Sequence, residues 1–485
     1  MPSLKNTAIS GAAWSFVGKI LQHGVQFVFG VILARLLLPE QYGLVAMAMV
    51  FITVFYVFVN SGFGVAIVQR KNIDQKDLST VFYMNLGISL LSYGILYLTA
   101  PFIAKFYKQP ELVEIIRVLS ILIILFALSI VQNSLITRDV KFKLRARIEL
   151  VAQILSGVIA IYMAYTGWGV WAIVWKTLLN QVFVNIQLWI QNNWFPALIF
   201  SKNSFKTLFS FSSKMLASGL LDTVYSQLNR LVVGKFFPAA ELGYYTRAEQ
   251  FKNLPTQIAT SSLLSFLLPV FSKIQDQPER MKSAAKRIMK ISMFFNVLSL
   301  VMMGILAFPI IDVLLGDKWI EAVPYLQLLV FVGVFYPLHA INVQILVALG
   351  RSDLFLRIEI IKKLMGVLPI LLAIFISIKA MIVGMIITSI LSLMVNTYYT
   401  RKLINLGIVE QLAAIRNSLL IGLAIAIVFT PIVYYLSNVN QLLILASLGM
   451  LMSLCIYGIM RIFKFDEYRE MKSIFDDIKA KYAKR

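Results

Sequence analysis

Cysteine, histidine and charged residues are all scarce in this chain of 485 residues. The single cysteine, Cys455, excludes an internal disulfide and a metal site built from several thiolates. The two histidines, His23 and His339, lie far apart in the sequence, and no spacing typical of metal ligands is present. We therefore expect no bound metal, and nothing in the sequence indicates a cofactor.

Charged residues make up only 14% of the chain, whereas 59% of the residues are hydrophobic and the mean hydropathy is +0.80. A soluble protein carries roughly 25% charged and 45–50% apolar residues. The excess apolar surface must face lipid, so the composition indicates a polytopic membrane protein. The net charge of +22 is compatible with nucleic-acid binding, but the basic residues cluster in short loops between apolar runs. We therefore expect no nucleic-acid partner.

Apolar runs separated by charged and turn residues predict fourteen membrane spans, because a helix needs roughly 20 mainly apolar residues to cross about 30 Å of hydrocarbon. The predicted spans are 12–34, 43–65, 79–104, 113–136, 148–166, 168–190, 208–233, 251–271, 288–311, 322–348, 355–377, 380–398, 416–436 and 441–462. With the N-terminus inside, most loop lysines and arginines fall on the inner side. We expect a multi-pass protein of the bacterial cytoplasmic (inner) membrane with both termini in the cytoplasm.

A short internal repeat predicts two related lobes. Ala34-Arg35-Leu36-Leu37 leads to Tyr42-Gly43, and Gly234-Lys235-Phe236-Phe237 leads to Leu242-Gly243. Internal repeats are a common plan for transporters, whose substrate sites lie where the repeats meet. The predicted fold is all-α, with two pseudo-symmetric six-helix lobes and two C-terminal helices. The predicted divisions are 1–191 for helices 1–6, 192–400 for helices 7–12, 401–463 for helices 13–14 and 464–485 for a cytoplasmic amphipathic tail.

Charged side chains inside the predicted spans are the first candidates for a functional site. An ionised group at the bilayer centre costs about 2.5–3.5 kcal/mol, so it should face protein or water rather than lipid. Lys19 and Lys176 lie roughly 10–12 Å inside their spans, and Asp222 lies near the middle of helix 7. Four further cations lie within two turns of a helix end and could snorkel: Arg117, Lys214, Arg230 and Lys252.

Polar side chains continue from these charges at helical spacing in helices 1, 6, 7 and 8. The stripes contain Lys19, His23, Gln26 and Gly30; Lys176, Asn180 and Gln187; Ser218, Asp222, Ser226 and Asn229; and Asn253, Gln257 and Thr260. Polar contacts between helices would give the same pattern, but four stripes together predict a shared aqueous cavity. Its deep charges are mainly cationic, so its ligand should be anionic, such as a phosphate or pyrophosphate head group. Asp222 is the candidate for ion coupling, with a structural Asp–Lys pair as the alternative.

Several segments together are similar to one family of membrane proteins. They are Thr7–Gly18, Leu33–Leu44, Gly62-Phe63-Gly64 with Gln69-Arg70, Glu241–Tyr245, and the stretch from Leu254-Pro255 to Leu268–Ser272. They resemble the polysaccharide flippases of the multidrug/oligosaccharidyl-lipid/polysaccharide exporter superfamily. The resemblance implies a fold like that of the multidrug (MATE) exporters, with two helix bundles around a central cavity. It also implies alternating access without ATP hydrolysis, and the sequence has no phosphate-binding loop.

The cargo implied by the resemblance is an oligosaccharide repeat unit linked to undecaprenyl pyrophosphate, which is flipped for surface polysaccharide synthesis. The expected partners are this lipid-linked oligosaccharide, the bilayer and, as a candidate, the polysaccharide polymerase machinery. Lys19 and Lys176 are the nearest equivalents of the family's cationic cavity residues. We therefore expect a secondary transporter rather than an enzyme.

Three alternative functions remain open. A membrane glycosyltransferase or polysaccharide polymerase needs catalytic groups on a substantial outer loop, and the longest predicted one, near Phe236–Gln250, contains no Asp-x-Asp pair. A drug or cation antiporter of the same fold is disfavoured by the cationic cavity. A scaffold that binds lipid-linked precursors without transporting them would share the same sequence features.

Overall fold

The computed structural model describes residues 4–60, 62–70, 73–436 and 439–462. It describes their side chains except at positions 4–17, 19, 20, 203, 207–211, 214, 215 and 258–266. All regular secondary structure in these residues is helical, which confirms the predicted all-α class. The predicted tail helix at 464–485 lies outside the described residues.

The chain forms two compact units, Met1–Thr246 and Arg247–Arg485. The helices of the N-terminal unit are α1 (Leu4–Leu36), α2 (Pro39–Val59), α3 (Phe63–Gln69), α4 (Gln75–Tyr107), α5 (Leu112–Leu119), α6 (Ile121–Arg138), α7 (Phe142–Tyr165), α8 (Val170–Gln191) and α9 (Lys202–Phe236). Helix α10 (Ala239–Ser272) begins in this unit and continues into the next. Within the N-terminal unit, α2 contacts α4, α5, α6, α8 and α9, while α7 packs against both α1 and α8.

Side-chain caps mark where several of these helices begin. The Asp74 carboxylate accepts a hydrogen bond from the Asp77 backbone N–H at 2.8 Å, at the start of α4. The Ser201 hydroxyl accepts one from the Ser204 N–H at 3.2 Å, at the start of α9. Such caps satisfy backbone donors that have no partner within the helix. At α2, Pro39 occupies the first turn, where its missing N–H costs nothing.

The C-terminal unit contains the rest of α10 and nine further α-helices. They are α11 (Pro278–Ile305), α12 (Ala307–Leu315), α13 (Ala322–Val334), α14 (Tyr336–Ala348), α15 (Ser352–Met365), α16 (Val367–Phe375), α17 (Ile378–Ile404), α18 (Ile408–Tyr435) and α19 (Gln441–Ile462), with a 3-10 turn at Asp317–Trp319. Helix α11 contacts α13, α14, α17 and α18, and α12 packs against α19. The predicted helices 13 and 14, which are α18 and α19, thus pack within this unit.

Each of the fourteen predicted spans falls on one helix or on two consecutive helices, as 43–65 does on α2 and α3. In the part of the chain that the structure describes, nine helices or helix pairs are long and apolar enough to cross a membrane. The other five predicted spans lie on α1, α8, α9, α10 and the pair α15–α16. The chain is therefore an all-α, multi-pass membrane protein. The lobe boundary at 191/192 stays a prediction, since the compact units divide within α10 and α9 packs against α2, α3 and α4.

Candidate functional site

Helices α1 and α7 pack closely in the N-terminal unit because small residues line their contact. A Cβ added at Gly18 would lie 2.6 Å from the Ala146 Cβ, and one added at Gly157 would lie 2.5 Å from the Phe29 ring. Between these points, the Gln153 amide can donate to the Gln22 carbonyl at 3.2 Å and accept from the Gln26 N–H at 3.3 Å. The helix 1 stripe therefore borders α7 at Gln153.

Helix α8 borders α7 at nearly the same level. The Asn180 amide donates to the Ser156 hydroxyl at 3.4 Å, and that hydroxyl donates to the Gln153 carbonyl at 3.3 Å. Gln153 and Ser156 therefore place Gln26 of α1 and Asn180 of α8 within about one turn of each other along α7. Lys176, one turn before Asn180, is partly buried. Helices α1 and α8, which carry two of the predicted stripes, thus both pack against α7.

The other predicted site residues differ in exposure. Asp222 and Ser226 on α9 are exposed, and the Ser226 hydroxyl donates to the Thr223 carbonyl of its own helix at 2.8 Å. The remaining described members are partly buried or exposed: partly buried His23, Asn229, Arg230 and Asn253, and exposed Gln26 and Gln257. Lys19 and Lys214 lie on α1 and α9, but their side chains are outside the described residues. Membership of one cavity stays a prediction for these residues.

Arg117 lies in a pocket of about 350 Å³ between α5 and the first turn of α8. Its guanidinium carbon is 4.4 Å from the centre of the Tyr97 ring, and its Nε donates to the Tyr97 carbonyl at 3.5 Å. The pocket is also lined by Glu111, Glu114 and Trp171. Arg117 therefore lies close to two carboxylates, Glu111 and Glu114, and to two aromatic side chains, Tyr97 and Trp171.

The two copies of the short repeat meet at the N-terminal turns of α2 and α10. A Cβ added at Gly43 would lie 1.7 Å from the Ala239 carbonyl oxygen, and one added at Gly243 would lie 2.0 Å from the Pro39 carbonyl oxygen. Both obstacles are backbone atoms, which a side-chain rotation does not move. Only glycine at both positions permits this reciprocal approach. The contact therefore joins the start of α2 to the start of α10.

A polar network that the stripes of helices 1, 6, 7 and 8 do not include lies in the C-terminal unit. The amides of Asn342 and Gln411 bond reciprocally, at 2.9 and 2.8 Å, and the Thr400 hydroxyl donates to the Asn342 carbonyl oxygen at 3.1 Å. All three residues are 0% exposed. Close by, the His339 ring contacts Ser389 and Asn396. The same stripe rule finds these residues, because Ser389, Asn396 and Thr400 recur at i, i+7 and i+11 on α17.

The sequence model of a polysaccharide biosynthesis protein family matches residues 32–324, more than half of the chain. The chain belongs to this family. It is 26% identical to the teichuronic acid biosynthesis protein TuaB of Bacillus subtilis (strain 168), over 73% of this chain and 74% of TuaB. It is 28% identical to the succinoglycan biosynthesis transport protein ExoT of Rhizobium meliloti (strain 1021), over 67% of this chain and 65% of ExoT. The resemblance to polysaccharide flippases is thus confirmed.

Two solved structures of other membrane proteins share the fold of this chain. The lipid II flippase MurJ, in an inward closed conformation, superimposes with a TM-score of 0.73 at 18% identity and covers 96% of this chain and 99% of MurJ. An inward-facing multidrug resistance MATE family transporter of the MOP superfamily gives a TM-score of 0.62 at 18% identity, over 79% of this chain and 94% of the transporter. The predicted MATE-like fold is confirmed. Since flippase and drug exporter share it, the fold alone does not select the cargo.

Proposed function

We propose that this family member is a flippase that moves undecaprenyl-pyrophosphate-linked oligosaccharide units across the bacterial cytoplasmic membrane by alternating access. The observation that carries the proposal is the family match over residues 32–324. Lys176, a partly buried cation on a membrane helix, is where the proposal places the anionic head group, because an ammonium binds phosphate oxygens well. The exported unit would then be supplied to polysaccharide polymerase machinery outside.

In the proposed binding mode, positively charged side chains contact the pyrophosphate and neutral polar side chains contact the sugar. Lys19 and Lys176 pair with the pyrophosphate, because charge-assisted hydrogen bonds to phosphate oxygens are the strong ones. Lys214, Arg230 and Arg117 are secondary cationic contacts. The neutral residues that contact sugar hydroxyls in this proposal are His23, Gln26, Asn180, Ser226, Asn229, Asn253 and Gln257. The polyprenyl tail stays in lipid, so its hydrocarbon never has to enter water.

Deletion of the gene for this protein is expected to leave the lipid-linked oligosaccharide on the inner leaflet of the membrane. Mass analysis of extracted lipids should then show accumulated polyprenyl-pyrophosphate oligosaccharide and a matching loss of surface glycan. Re-expression of the intact chain should reverse both changes. Unchanged lipid-linked sugar in the deletion strain, with normal surface glycan, would contradict the proposed function and favour a scaffold or drug exporter.

Asp222 provides a separate test of ion coupling. The Asp222→Asn variant keeps the shape of the side chain but has no carboxylate to protonate. If Asp222 couples export to a proton gradient, glycan export by this variant should lose its sensitivity to a protonophore. Asn229→Ala, which changes an amide two turns along the same helix, should leave that sensitivity in place. Export by Asp222→Asn that stays fully protonophore-sensitive would remove Asp222 from this role.

A further inference from the structure

His339 is an ionisable residue inside the span Ala322–Ala348. It lies nine residues, or roughly 14 Å, from the C-terminal end of that span. Its ring Nε2 lies 3.2 Å from the Ser389 hydroxyl, and its Nδ1 lies 3.0 Å from the Asn396 amide nitrogen. In this orientation of the Asn396 amide, whose nitrogen only donates, Nδ1 is the acceptor and the proton lies on Nε2. Both ring nitrogens are therefore hydrogen-bonded, and the ring is neutral in this arrangement.

Asn396 holds an unused acceptor beside the ring. The residue is 0% exposed, and its Oδ1 accepts no hydrogen bond from any part of the chain that the structure describes. A buried polar atom without a partner costs about 1–3 kcal/mol, so its retention needs a reason. Rotating the amide by half a turn places Oδ1 where Nδ2 now lies, 3.0 Å from Nδ1. In that orientation the amide accepts a hydrogen bond from a protonated Nδ1.

Ser389 and Asn396 can together accept the two hydrogen bonds that a doubly protonated His339 ring donates. A doubly protonated imidazole donates from both nitrogens and needs two acceptors. The Ser389 hydroxyl oxygen accepts from Nε2, and the rotated Asn396 carbonyl oxygen accepts from Nδ1. The neutral ring already makes the Ser389 contact, so only the Asn396 amide has to rotate. The nearby Asn342–Gln411 pair differs, because its amides already bond to each other in a fixed orientation.

The charges around His339 come from the helices packed against α14, which are α11, α13, α15 and α17. Lys362 of α15 acts electrostatically on the ring, and its ammonium also pairs with Glu359 at 3.2 Å, which offsets part of its charge. The other ionisable side chains of these helices are Tyr325 on α13; Asp353, Arg357 and Lys363 on α15; Lys379, Tyr398, Tyr399, Arg401 and Lys402 on α17; and Glu279, Arg280, Lys282, Lys286, Arg287 and Lys290 on α11. Lys362 is therefore the positive charge that opposes protonation of the His339 ring.

We propose that His339 binds a proton at Nδ1 during the transport cycle, with Asn396 and Ser389 accepting the two ring hydrogen bonds. The coupling to transport rests on the proposed function, whereas proton binding rests on the geometry of these three residues. The proton comes from the aqueous phase and returns to it, so no bond other than N–H forms or breaks. The present arrangement is the proton-free form. His339 is proposed in addition to Asp222, which is exposed on α9.

Proton binding is measured without any cargo, because His23→Gln leaves His339 as the only histidine. Protein with this substitution and ¹⁵N-labelled histidine, in lipid nanodiscs, should show a ring protonated at Nε2 at about pH 8. A doubly protonated form should grow as the pH is lowered. Asn396→Leu should reduce that form by about tenfold at the lower pH, since a hydrogen bond to a charged group contributes about 1.5–3 kcal/mol. A ring that stays neutral throughout, or a titration that Asn396→Leu leaves unchanged, overturns the proposal.

Coupling is measured in proteoliposomes with lipid-linked oligosaccharide extracted from the deletion strain, as the ratio of transport with a pH gradient to transport without one. The ratio should exceed one in the parent protein and fall close to one in His339→Gln and Ser389→Ala. Thr388→Ala is the matched control, because the Thr388 hydroxyl bonds to the Met385 carbonyl of its own helix at 3.1 Å. A ratio that stays at the parent value in His339→Gln overturns the coupling. If the parent moves no cargo at all, the proposed function fails instead, and the ring titration still decides proton binding.

Discussion

Replacing Gly43 with alanine is expected to reduce glycan export by roughly tenfold to a hundredfold. The added methyl carbon would lie 1.7 Å from the Ala239 carbonyl oxygen, so the N-terminal turns of α2 and α10 must separate. Overpacking of this kind costs about 1–3 kcal/mol in well-packed interiors, and about 1.4 kcal/mol changes an equilibrium tenfold. The variant should therefore favour conformations in which these two turns lie apart. Gly243→Ala should act in the same way, because its methyl would meet the Pro39 carbonyl oxygen at 2.0 Å.

The opening itself is measured with a single cysteine at a position that the contact buries. Ala239 is 2% exposed, and the native Cys455 is removed by Cys455→Ser. In this background, Ala239→Cys should resist a membrane-impermeant maleimide applied from outside and should react much faster once Gly43→Ala is added. Gly24→Ala and Gly87→Ala are matched controls, because an added Cβ at either position has no atom within 4 Å.

Two results would contradict a role of this contact in transport. The first is normal export and unchanged cysteine protection in Gly43→Ala, which would mean that the two turns separate without cost. The second is a loss of membrane-inserted protein in Gly43→Ala that is equal in the Gly24→Ala control, which would mean that any extra methyl harms folding. A reduced amount of Gly43→Ala alone, with the remaining protein reactive toward the maleimide, would still place the defect at this contact.

The membrane helices were the most predictable feature of the chain, because lipid imposes a simple rule on sequence. Backbone groups in hydrocarbon must bond within the helix, so each crossing needs one long apolar run. The fourteen predicted spans accordingly coincide with helices throughout the described residues. Breaks within a span were less predictable. The predicted span 113–136 is divided into α5 and α6 at Ser120, and no proline or glycine marks that point.

The repeat glycines show how sequence and structure complement each other. Matched offsets in two segments indicated a relationship between Gly43 and Gly243, but spacing along a chain carries no information on distance in space. The structure adds that each glycine faces a backbone carbonyl beside the other copy of the repeat. The glycines at positions 43 and 243 are thereby explained, because neither position has room for a Cβ.

The polar residues were harder to assign, because a helical stripe has the same spacing whether it faces water or another helix. Gln187 and Asn180 both followed the helix 6 stripe, and both donate to α7, at the Ile148 carbonyl and the Ser156 hydroxyl. Arg117 is a candidate in the sequence because it is a cation near the end of a predicted span, whereas its contacts with Tyr97 depend on how α4 and α5 pack. Partner identity is a tertiary property, and it decides between structural and functional roles.

Substitution of Lys176 is the sharpest test of an anionic cargo. Lys176→Ala should lower glycan export by about tenfold to a hundredfold, because a hydrogen bond to a charged group contributes about 1.5–3 kcal/mol. Adding Lys19→Ala should abolish export, since the pyrophosphate would then lose both deep cations. Membrane insertion should not suffer, because a lysine at the centre of a span disfavours insertion by about 2.5–3.5 kcal/mol and its removal relieves that cost. Export is read from surface glycan and from lipid-linked oligosaccharide retained inside, at matched amounts of membrane protein.

Lys176→Arg and Lys379→Ala separate charge at this position from charge in general. Arginine keeps the positive charge and can bind phosphate through two parallel hydrogen bonds, so Lys176→Arg should retain more export than Lys176→Ala. Lys379 lies in the first turn of α17, outside the four stripes, and Lys379→Ala should export normally. Equal loss in the arginine and alanine variants would mean that the shape of the lysine matters rather than its charge. Full export by the double variant Lys19→Ala, Lys176→Ala would exclude pairing between these lysines and the cargo, because no deep cation of helices 1 and 6 would remain to hold a pyrophosphate.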